Sequence, residues 1–561
     1  MAEMSLAPLR ARRRAAGALT AAIVLALAVT ASSALERGTD RAPAASLDQG
    51  KRAKPSKKKK RKLRKLPNVV VVVTDDQTLA SYNDATMPFV SDFMEGQGTT
   101  FTNAIATSPN CCPSRASIIT GQYPHSHGVL SNRLGYTALR GKKSTLPVWL
   151  RRKGYATAHV GKYLNGYAEF VDDDTKGAPG WDEWHTMLAP RYYGYKLASN
   201  ERLIRHQNSD KDYSARVITR RARKIVRRYV PKAAPLFLAV DYYNPHTQAG
   251  GQERCAGAAR PDPADEDLFV DEPLPQPPGF NEADVEDKPT FIRRLPLMDQ
   301  TAIDAAVLRY GCALASLAAV DRGLEQIVGA VSKRGELDKT AVLFMSDNGY
   351  FYGEHRLPEQ KQQAFEEAIK VPFAVHWPAK RVPSPPGTVS EPVANIDLAP
   401  TILELAKARP CRGRGRCRVM DGRSLMPLVS GGSWPAERVL GIEFDVNETR
   451  ARRGSTCAFD GVRTPIDMYV EHKRVVSDPQ EGICEPTSEA EQYQLAADPV
   501  YGALPPDPFQ LRNLTSPLVA ASDDPNVVAR RSELDQLLDR MRVCSGIAGR
   551  DPAPNSGHYC Q

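Results

Sequence analysis

The chain has 561 residues, of which 42% are hydrophobic and 25% charged, enough for one large globular domain and a smaller second one. The net charge is +10, but residues 1–66 contain 17 basic and 4 acidic residues, so the rest of the chain carries a net charge of −3. A slightly acidic body argues against nucleic-acid binding, and we expect no nucleic-acid partner.

Residues 1–34 have the pattern of a signal peptide. Four arginines between residues 10 and 14 precede an apolar stretch at 15–29, and small residues at 32–34 could form a cleavage site. The stretch is short for a membrane span, although an uncleaved anchor is an alternative, and the arginines also permit twin-arginine export. We therefore predict a protein that is secreted or associated with the cell surface.

Residues 35–66 are predicted to form a disordered basic linker. Eleven of the 15 residues at 51–65 are Lys or Arg, and such a block repels itself. One interpretation is a solubilising linker. The other is a tether to an anionic cell wall, membrane surface or sulfated polymer.

An α/β fold follows from the next elements along the chain. Residues 68–74 read Asn-Val-Val-Val-Val-Val-Thr, a continuous apolar strand suited to a sheet that is covered on both faces. Similar runs occur at 157–160, 236–240, 341–345 and 372–375, and helical segments at 214–228 and 301–334. This alternation predicts a large, mostly parallel sheet flanked by helices.

Polar residues follow three of these strands. Asp75 and Asp76 come after the first, His246 after the third, and Asp347 and Asn348 after the fourth. In open α/β sheets, binding sites form beyond the carboxyl ends of the strands. Carboxylate and amide oxygens suit calcium better than zinc or copper. Alternatively, paired aspartates at strand ends simply cap the next helix.

Ten cysteines are present, and setting aside Cys111 and Cys112 leaves eight. An even number in an exported chain indicates disulfides, although sequence does not fix their connectivity. Pairing between sequence neighbours would join Cys411 with Cys417, Cys457 with Cys484, and Cys544 with Cys560. Residues 257–295, rich in Pro and acidic residues, are interpreted as a lid or a substrate loop.

The most informative stretch begins at Cys111. It reads Cys-Cys-Pro-Ser-Arg and continues as Ala-Ser-Ile-Ile-Thr-Gly-Gln-Tyr-Pro. Adjacent cysteines lack zinc-site spacing, and the pattern resembles the sulfatase signature. The resemblance implies that a formylglycine-generating enzyme converts Cys111 to Cα-formylglycine, the nucleophile in its hydrated form, with Cys112 at the variable position. Arg115, one helical turn further on, can face the same side as residue 111.

The resemblance extends over most of residues 67–515 and is closest to N-acetylglucosamine-6-sulfatases and extracellular heparan 6-O-sulfatases. It rests on TDDQ at 74–77, GKYLNGY at 161–167, SDNGY at 346–350 and the motifs within 370–406. A sulfatase-like ending follows, with Gln510 in place of the usual acid. The likeness implies an alkaline-phosphatase-like catalytic domain at 67–437 and a smaller C-terminal α+β domain at 438–561.

By the same resemblance, one calcium ion is expected at the site, held together with the oxygen of residue 111. The expected metal ligands are Asp75, Asp76, Asp347 and Asn348, with Cys111 in its converted form. The residues expected at the sulfate are Lys162, Lys361 and His246, and His246 can protonate the leaving alcohol. Fixed cations suit a transition state that gathers negative charge on sulfate oxygens.

One position departs from many sulfatases. Leu164 stands where GKWH sequences have a histidine, a change shared with the glucosamine-6-sulfatase branch. The departure leaves the general base unnamed. His125 and His127 either serve as that base or only line the pocket, and His355 is a weaker candidate for a substrate contact.

The predicted function is a secreted, calcium-dependent sulfatase that acts on a sulfated carbohydrate or small sulfate ester, with the 6-O-sulfate of N-acetylglucosamine as the favoured substrate. A formylglycine-dependent phosphonate or phosphate monoester hydrolase, or an arylsulfatase, is the alternative within the superfamily. A non-catalytic polysaccharide-binding protein is a third possibility, which the intact motifs disfavour.

Overall fold

The computed structural model describes residues 65–561 apart from 171–174, 233, 251–253, 386, 414–415, 435–437, 447–455 and 479–481. The predicted signal peptide and nearly all of the predicted basic linker lie outside the described residues. The described chain starts at Lys65, and Leu66 already packs against the apolar core.

The described residues contain two main sheets and two small two-stranded ones. The strands are β1 (Asn68–Thr74), β2 (Gly98–Phe101), β3 (Ala104–Ile105), β4 (Ala156–Lys162), β5 (Glu183–Met187), β6 (Lys196–Ser199), β7 (Leu203–Arg205), β8 (Leu236–Asp241), β9 (Thr340–Ser346), β10 (Phe373–His376), β11 (Thr388–Val389), β12 (Val393–Ala394), β13 (Cys411–Gly413), β14 (Arg416–Cys417), β15 (Leu440–Asp445), β16 (Thr456–Arg463), β17 (Asp467–Asp478), β18 (Ile483–Pro486) and β19 (Ala490–Gln494).

The α-helices of the described residues range from one turn to nine turns. They are α1 (Pro88–Gln97), α2 (Cys111–Thr120), α3 (Pro124–His127), α4 (Gly135–Ala138), α5 (Leu146–Lys153), α6 (Tyr167–Phe170), α7 (Ser214–Tyr229), α8 (Thr290–Arg293), α9 (Gln300–Ser332), α10 (Glu366–Ile369), α11 (Leu398–Leu405), α12 (Met426–Val429) and α13 (Pro525–Val543). Short 3₁₀ helices occur at Leu79–Ser81, Asp210–Asp212, Pro263–Asp265, Leu337–Lys339, Asn395–Asp397, Pro499–Tyr501 and Ala520–Asp523.

The larger sheet has ten strands in the order β11-β2-β10-β9-β1-β8-β4-β5-β6-β7. Its centre, from β9 to β5, is parallel, as the sequence predicts. The margins are mixed, because β10 runs antiparallel to β9, and β6 and β7 are antiparallel at the other edge. The predicted fold class is therefore confirmed, with antiparallel additions at the edges.

Strand β1 shows why the sheet is covered on both sides. Val70 and Val72 point into one apolar core, whereas Val69, Val71 and Val73 point into the other. Successive side chains of a strand face opposite sides, so a run of valines supplies both cores at once.

Helices α7 and α9 pack together against one face of the sheet. By length and composition, α9 is the one helix among the described residues that could span a membrane, but 61% of its most apolar window is buried within the protein. Such burial is typical of a helix in a protein core. Its N-terminus is capped by the Asp299 side chain, which accepts a hydrogen bond from the Ala302 N–H.

The C-terminal part forms a second, antiparallel sheet from β15 to β19, packed against α13. The predicted strand at 468–471 lies within β17. The smaller α+β domain is thus present. Gln510, the departure from the usual ending, accepts a hydrogen bond from the Glu366 N–H at 2.7 Å and so joins this part to the larger one.

Four disulfides stabilise the described chain. The three predicted neighbour pairs are all present, and the remaining two cysteines, Cys255 and Cys312, form the fourth. Cys111 and Cys112 are free and buried. The segment 257–295 is held to the body by ion pairs, among them Asp262 with Arg216 and Asp265 with Arg322.

Candidate active site

The polar residues that follow β1 and β9 meet at the carboxyl ends of these neighbouring strands. The Asp347 N–H donates to the Thr74 carbonyl at 3.2 Å, and the Asp76 N–H donates to Asp347 Oδ1 at 3.2 Å. Asp76 adopts a left-handed backbone conformation, with φ of 67°, which is strained for a residue other than glycine. Such strain persists when surrounding contacts over-determine a geometry, as is common at functional sites.

Cys111 begins helix α2 and is fully buried beside these aspartates. Its Sγ lies 3.3 Å from Asp75 Oδ1 and 2.9 Å from Lys361 Nζ. The positive end of the helix dipole and the lysine both favour negative charge at this position. The site is therefore suited to an anionic group next to residue 111.

Arg115 lies one turn along α2, on the same side as residue 111, as predicted. Its Nε donates to Asp347 Oδ2 at 2.7 Å, and its Nη1 donates to Asp241 Oδ1 at 2.9 Å. The sequence analysis did not single out Asp241, which is the last residue of β8, or His159, whose Nε2 lies 3.1 Å from Asp241 Oδ2. The rule that identified Asp75, a polar residue at the carboxyl end of a strand, applies equally to Asp241.

The structure brings both predicted lysines to the aspartates. Lys162, the last residue of β4, pairs with Asp75 Oδ2, and Lys361 pairs with Asp76 Oδ1. Both ammonium groups are largely buried, and the nearby carboxylates outweigh the effect of burial, so the pKa of each lysine is raised. Two permanent positive charges thus border Cys111.

His246 faces the same centre. Its Nδ1 lies 2.6 Å from the Thr247 carbonyl, which can only accept a hydrogen bond, so Nδ1 carries a proton. Its Nε2 is directed toward Asp76 Oδ2 at 3.6 Å. Burial lowers the pKa of His246, although Asp76 opposes the shift. Nε2 is therefore the atom that can exchange a proton with a group in the site.

Burial and ion pairing shift the pKa values of the site groups in different directions. Burial alone would raise the pKa of Asp75, but Lys162 and other nearby cations hold it well below its usual range. Burial raises the pKa of Asp347 to about 6, against the opposing effect of Arg115. Burial and then Asp75 raise the pKa of the Cys111 thiol to about 12. The encoded cysteine is consequently a neutral thiol at pH 7 and a poor nucleophile.

The oxygen atoms in this centre fit a hard divalent cation. Ligand atoms of Asp75, Asp76, Cys111 and His246 lie within 4.8 Å of one another. Asn348 Oδ1 is buried and has no hydrogen-bond partner among the described residues, while its Nδ2 donates to Asp76 Oδ1 at 2.7 Å. A buried carbonyl oxygen without a donor is costly unless something else satisfies it, and a cation would do so.

The other predicted histidines do not contact residue 111. His125 hydrogen bonds to Glu443 and to the Cys544 carbonyl, both in the C-terminal part. His127 hydrogen bonds to Ser117 through Nε2 and accepts from the Val129 N–H through Nδ1. Since both ring nitrogens are engaged in each case, neither histidine is available as a base in this arrangement.

His355 lies in a second buried cluster. Its Nδ1 is 2.8 Å from Glu282 Oε2, and its Nε2 is 3.8 Å from Glu367 Oε2. Glu367 and Glu354 border a cavity of about 880 Å³ that residues 78–80, 274–277 and the tyrosines Tyr310, Tyr350 and Tyr352 also line. Tyr350, which lines the cavity, is close enough to Asp76 and Lys361 for their charges to act on its hydroxyl, so this cavity adjoins the candidate site.

Comparison with known proteins identifies the family of this chain. The sulfatase family model matches residues 67–408. A putative extracellular sulfatase Sulf-1 homolog of Caenorhabditis elegans is 33% identical over 416 residues, which is 72% of this chain and 55% of that protein. The N-acetylglucosamine-6-sulfatase of Homo sapiens is 32% identical over 378 residues, 65% of each chain. This chain therefore spans between about half and two thirds of these relatives.

Solved structures show the same architecture. A protein in complex with its substrate D-glucosamine-2-N,6-O-disulfate superposes with a TM-score of 0.65 and 20% identity, over 85% of this chain and 97% of that one. At this identity the likeness concerns the fold. The family match over more than half of the chain establishes that this protein belongs to the sulfatase family.

Proposed function

We propose that this protein is a secreted sulfatase that removes sulfate esters from a sulfated sugar, with the 6-O-sulfate of N-acetylglucosamine as the favoured substrate. The observation that carries the proposal is the convergence on Cys111 of two lysines, an arginine and a histidine beside three aspartates and an asparagine. Separate strands and one helix N-terminus deliver these groups to one point.

Residue 111 is the proposed nucleophile after conversion to Cα-formylglycine by a formylglycine-generating enzyme. One hydroxyl of the aldehyde hydrate attacks sulfur and the alcohol leaves. The second hydroxyl then loses its proton and re-forms the aldehyde, which breaks the C–O bond to the sulfate and expels it, so no separate water has to attack a sulfated enzyme. Complete burial of residue 111 keeps bulk solvent away from this chemistry. Arg115 and Lys361 hold positive charge close to it.

Calcium is the proposed cofactor, held by Asp75, Asp76, Asp347 and Asn348 with the oxygen of residue 111. The ion would lower the pKa of the hydrate and neutralise charge on the sulfate. The chain's own residues orient these ligands, because Arg115 fixes Asp347 and Asp76 donates its N–H to the same carboxylate.

Lys162 and Lys361 are the proposed sulfate-binding cations. The proton for the leaving alcohol is assigned to His246 in its imidazolium form, in which Nε2 as well as Nδ1 carries a proton, and Asp76 Oδ2, 3.6 Å from Nε2, favours that form. The Thr247 carbonyl fixes the ring, since it holds the proton on Nδ1 and leaves Nε2 directed into the site. Removing one such preorganised donor typically lowers kcat about a hundredfold to a thousandfold.

A sugar substrate is supported by the adjoining cavity. Its tyrosines can pack against a pyranose ring, and Glu354 and Glu367 can accept hydrogen bonds from hydroxyl groups. Of the two relatives described above, one is named as a putative extracellular sulfatase and the other as an N-acetylglucosamine-6-sulfatase. The first name agrees with export and the second with this substrate class. Residues 1–34 would then act as the signal peptide, followed by the basic linker at 35–66 and domains at 67–437 and 438–561.

The decisive experiment compares the wild-type chain, made in a host with the formylglycine pathway, with Cys111→Ala, Cys111→Ser and the matched control Cys112→Ser. We expect mass spectrometry to find an aldehyde at residue 111 in the wild type and control, and turnover of an aryl sulfate to fall about a thousandfold or more in both residue 111 variants. Normal turnover by Cys111→Ala would rule the proposal out. Faster turnover of a phosphonate monoester than of the sulfate would favour the alternative hydrolase.

A further inference from the structure

Helix α7 carries an unusual amount of unbalanced charge. Seven of its 16 residues are basic and none is acidic. Arg220, Arg223, Lys224 and Arg227 follow the spacing i, i+3, i+4, i+7, which places them on one face of the helix. Like charges at this spacing repel one another and destabilise an isolated helix, so an external anion bound along the stripe would relieve this repulsion.

The helix dipole accounts for only part of this stripe. Cations in the last turn of a helix interact favourably with its carbonyl end, and Arg227 and Arg228 are placed there. Arg228 is also paired with Glu183. Arg220 and Lys224 lie further back, are exposed, and gain little from the dipole.

The C-terminal end of α9 lies next to the stripe and adds to it. Lys333 and Arg334 are exposed, and Arg334 Nη2 donates to the Arg227 carbonyl at 3.2 Å. Between the two helices runs a groove of about 300 Å³, which includes the small residues Gly329 and Ala330. Glu325 is the acidic residue among those that line it. We call this feature the α7–α9 groove.

The groove lies at the end of the sheet opposite the active centre. The Asn68 side chain, at the start of β1, contacts Leu236 at the start of β8 and Thr340 at the start of β9. Helices α7 and α9 end shortly before these two strands. Asp75 follows the other end of β1, so the seven-residue strand separates the two regions by about 20 Å.

We propose that the α7–α9 groove is a docking site for a linear polyanionic carbohydrate. Guanidinium groups form bidentate hydrogen bonds with sulfate and carboxylate groups. The small residues between the helices leave room for a single polysaccharide chain. The choice of a carbohydrate rests on the proposed function, because an enzyme that hydrolyses sulfated glycans works among such polymers. The groove would hold the polymer while a distant part of it reacts.

Other polyanions fit the groove less well. Among the described residues, no large hydrophobic side chain is exposed at 214–229 or 325–334, so nothing there would insert into a lipid surface. The residues lining the groove include no aromatic side chain on which a nucleic-acid base could stack. The chain beyond residue 66 is slightly acidic overall, so this patch is local and not a general property of the body.

The test uses the full chain with three exposed cations neutralised: Arg227→Gln, Lys333→Gln and Arg334→Gln. The matched control neutralises three exposed cations on the β6–β7 hairpin: Lys196→Gln, Arg202→Gln and Arg205→Gln. The probe is immobilised heparin at 50 mM salt. We expect affinity to fall about tenfold in the groove variant, less than about twofold in the control, and the difference to vanish at 1 M salt. Turnover of a small sulfate ester should be unchanged in both variants, and the Tm should not fall in either, because removing like charges only relieves repulsion.

Two outcomes would overturn the proposal. Equal losses in the groove variant and the control would show an effect of net charge alone. Unchanged heparin binding together with lost binding to phosphatidylglycerol vesicles would identify a membrane surface instead. A chain without sulfatase turnover that still binds heparin through the groove would refute the proposed function and leave the docking site standing.

Discussion

The active centre and the α7–α9 groove are both dense in charge, but they are organised in opposite ways. At the centre, each cation is buried and lies against a carboxylate, as Arg115 does with Asp347 and Lys162 does with Asp75. In the groove, Arg227, Lys333 and Arg334 are exposed, and no ion pair of theirs occurs among the described residues. The number of charges is therefore a poor guide to their role.

Pairing and burial separate the two roles physically. A buried charge needs partners because desolvation is costly, so its geometry is fixed and its removal leaves an uncompensated neighbour. An exposed charge keeps its hydration, and its influence extends over about a Debye length and is screened by salt. The first arrangement suits chemistry at one point, and the second suits attraction of a long polymer.

The largest effect is expected from substitutions in the buried centre, which test whether its paired charges are needed for activity. Asp347→Asn and Asp75→Asn each remove one negative charge from the proposed calcium ligands, and Asp347→Asn also weakens the hold on Arg115. We expect activity to fall about a hundredfold at ordinary calcium levels, with partial recovery when calcium is raised. Exhaustive chelation of the wild type should produce the same defect.

The control for this prediction is Asp338→Asn, an exposed aspartate just before β9. It should leave activity and calcium content unchanged. Elemental analysis of the purified proteins provides a readout independent of turnover. A fully active, metal-free wild-type protein would contradict the assigned ligand set.

The buried ion pair between His125 and Glu443 tests how much pairing contributes to stability outside the candidate active site. His125 lies against Glu443, and although burial alone would lower its pKa, Glu443 and the Cys544 carbonyl raise it to about 9. Because this value lies above the usual 6.5, the pair stabilises the fold fully below about pH 6.5, and the stabilisation fades as pH rises through 9. His125→Gln should cost on the order of 3 kcal/mol at pH 6 and little at pH 9.5.

Thermal unfolding across this pH range measures the effect. The difference in Tm between wild type and His125→Gln should be largest at pH 6 and shrink steadily to pH 9.5. His558→Gln, which alters an exposed histidine, should show no such trend. A difference that does not change with pH would mean that His125 contributes through packing alone.

The sequence indicates which polar residues meet at the carboxyl ends of the strands, because the constraints on them are local. A β-branched run followed directly by acids, as at residues 68–76, specifies both a strand and the edge at which its polar residues lie. Asp241 was missed although it obeys the same rule, since one acid after a strand carries less signal than a pair. Its contact with Arg115 depends on how β8 and α2 pack, which spacing alone does not encode.

The groove could not be predicted in the same way. The basic run within 214–229 is visible in the sequence, but its meaning depends on α9, whose end lies more than 100 residues further along the chain. The mixed margins of the large sheet escaped prediction for a similar reason. Short strands such as β6, β7 and β11 take their direction from tertiary pairing and carry little periodic pattern.

The smallest expected effect concerns the basic linker, whose deletion tests how far cations outside the groove contribute to polymer binding. Deleting residues 35–64 removes a block rich in Lys and Arg but keeps Leu66, which packs against the core, and Pro67, whose carbonyl accepts a hydrogen bond from Tyr155 at 2.9 Å. Turnover of a small sulfate ester should be unchanged. Retention on heparin should fall several-fold at low salt, with no difference at high salt, because exposed charges act at long range and are screened.

Since the described chain enters β1 at the same end of the sheet as the α7–α9 groove, combining the deletion with the groove variant should weaken binding further than either change alone. Equal retention of the full-length and shortened proteins would show that the linker contributes only solubility, and lost turnover would show that it supports the catalytic domain.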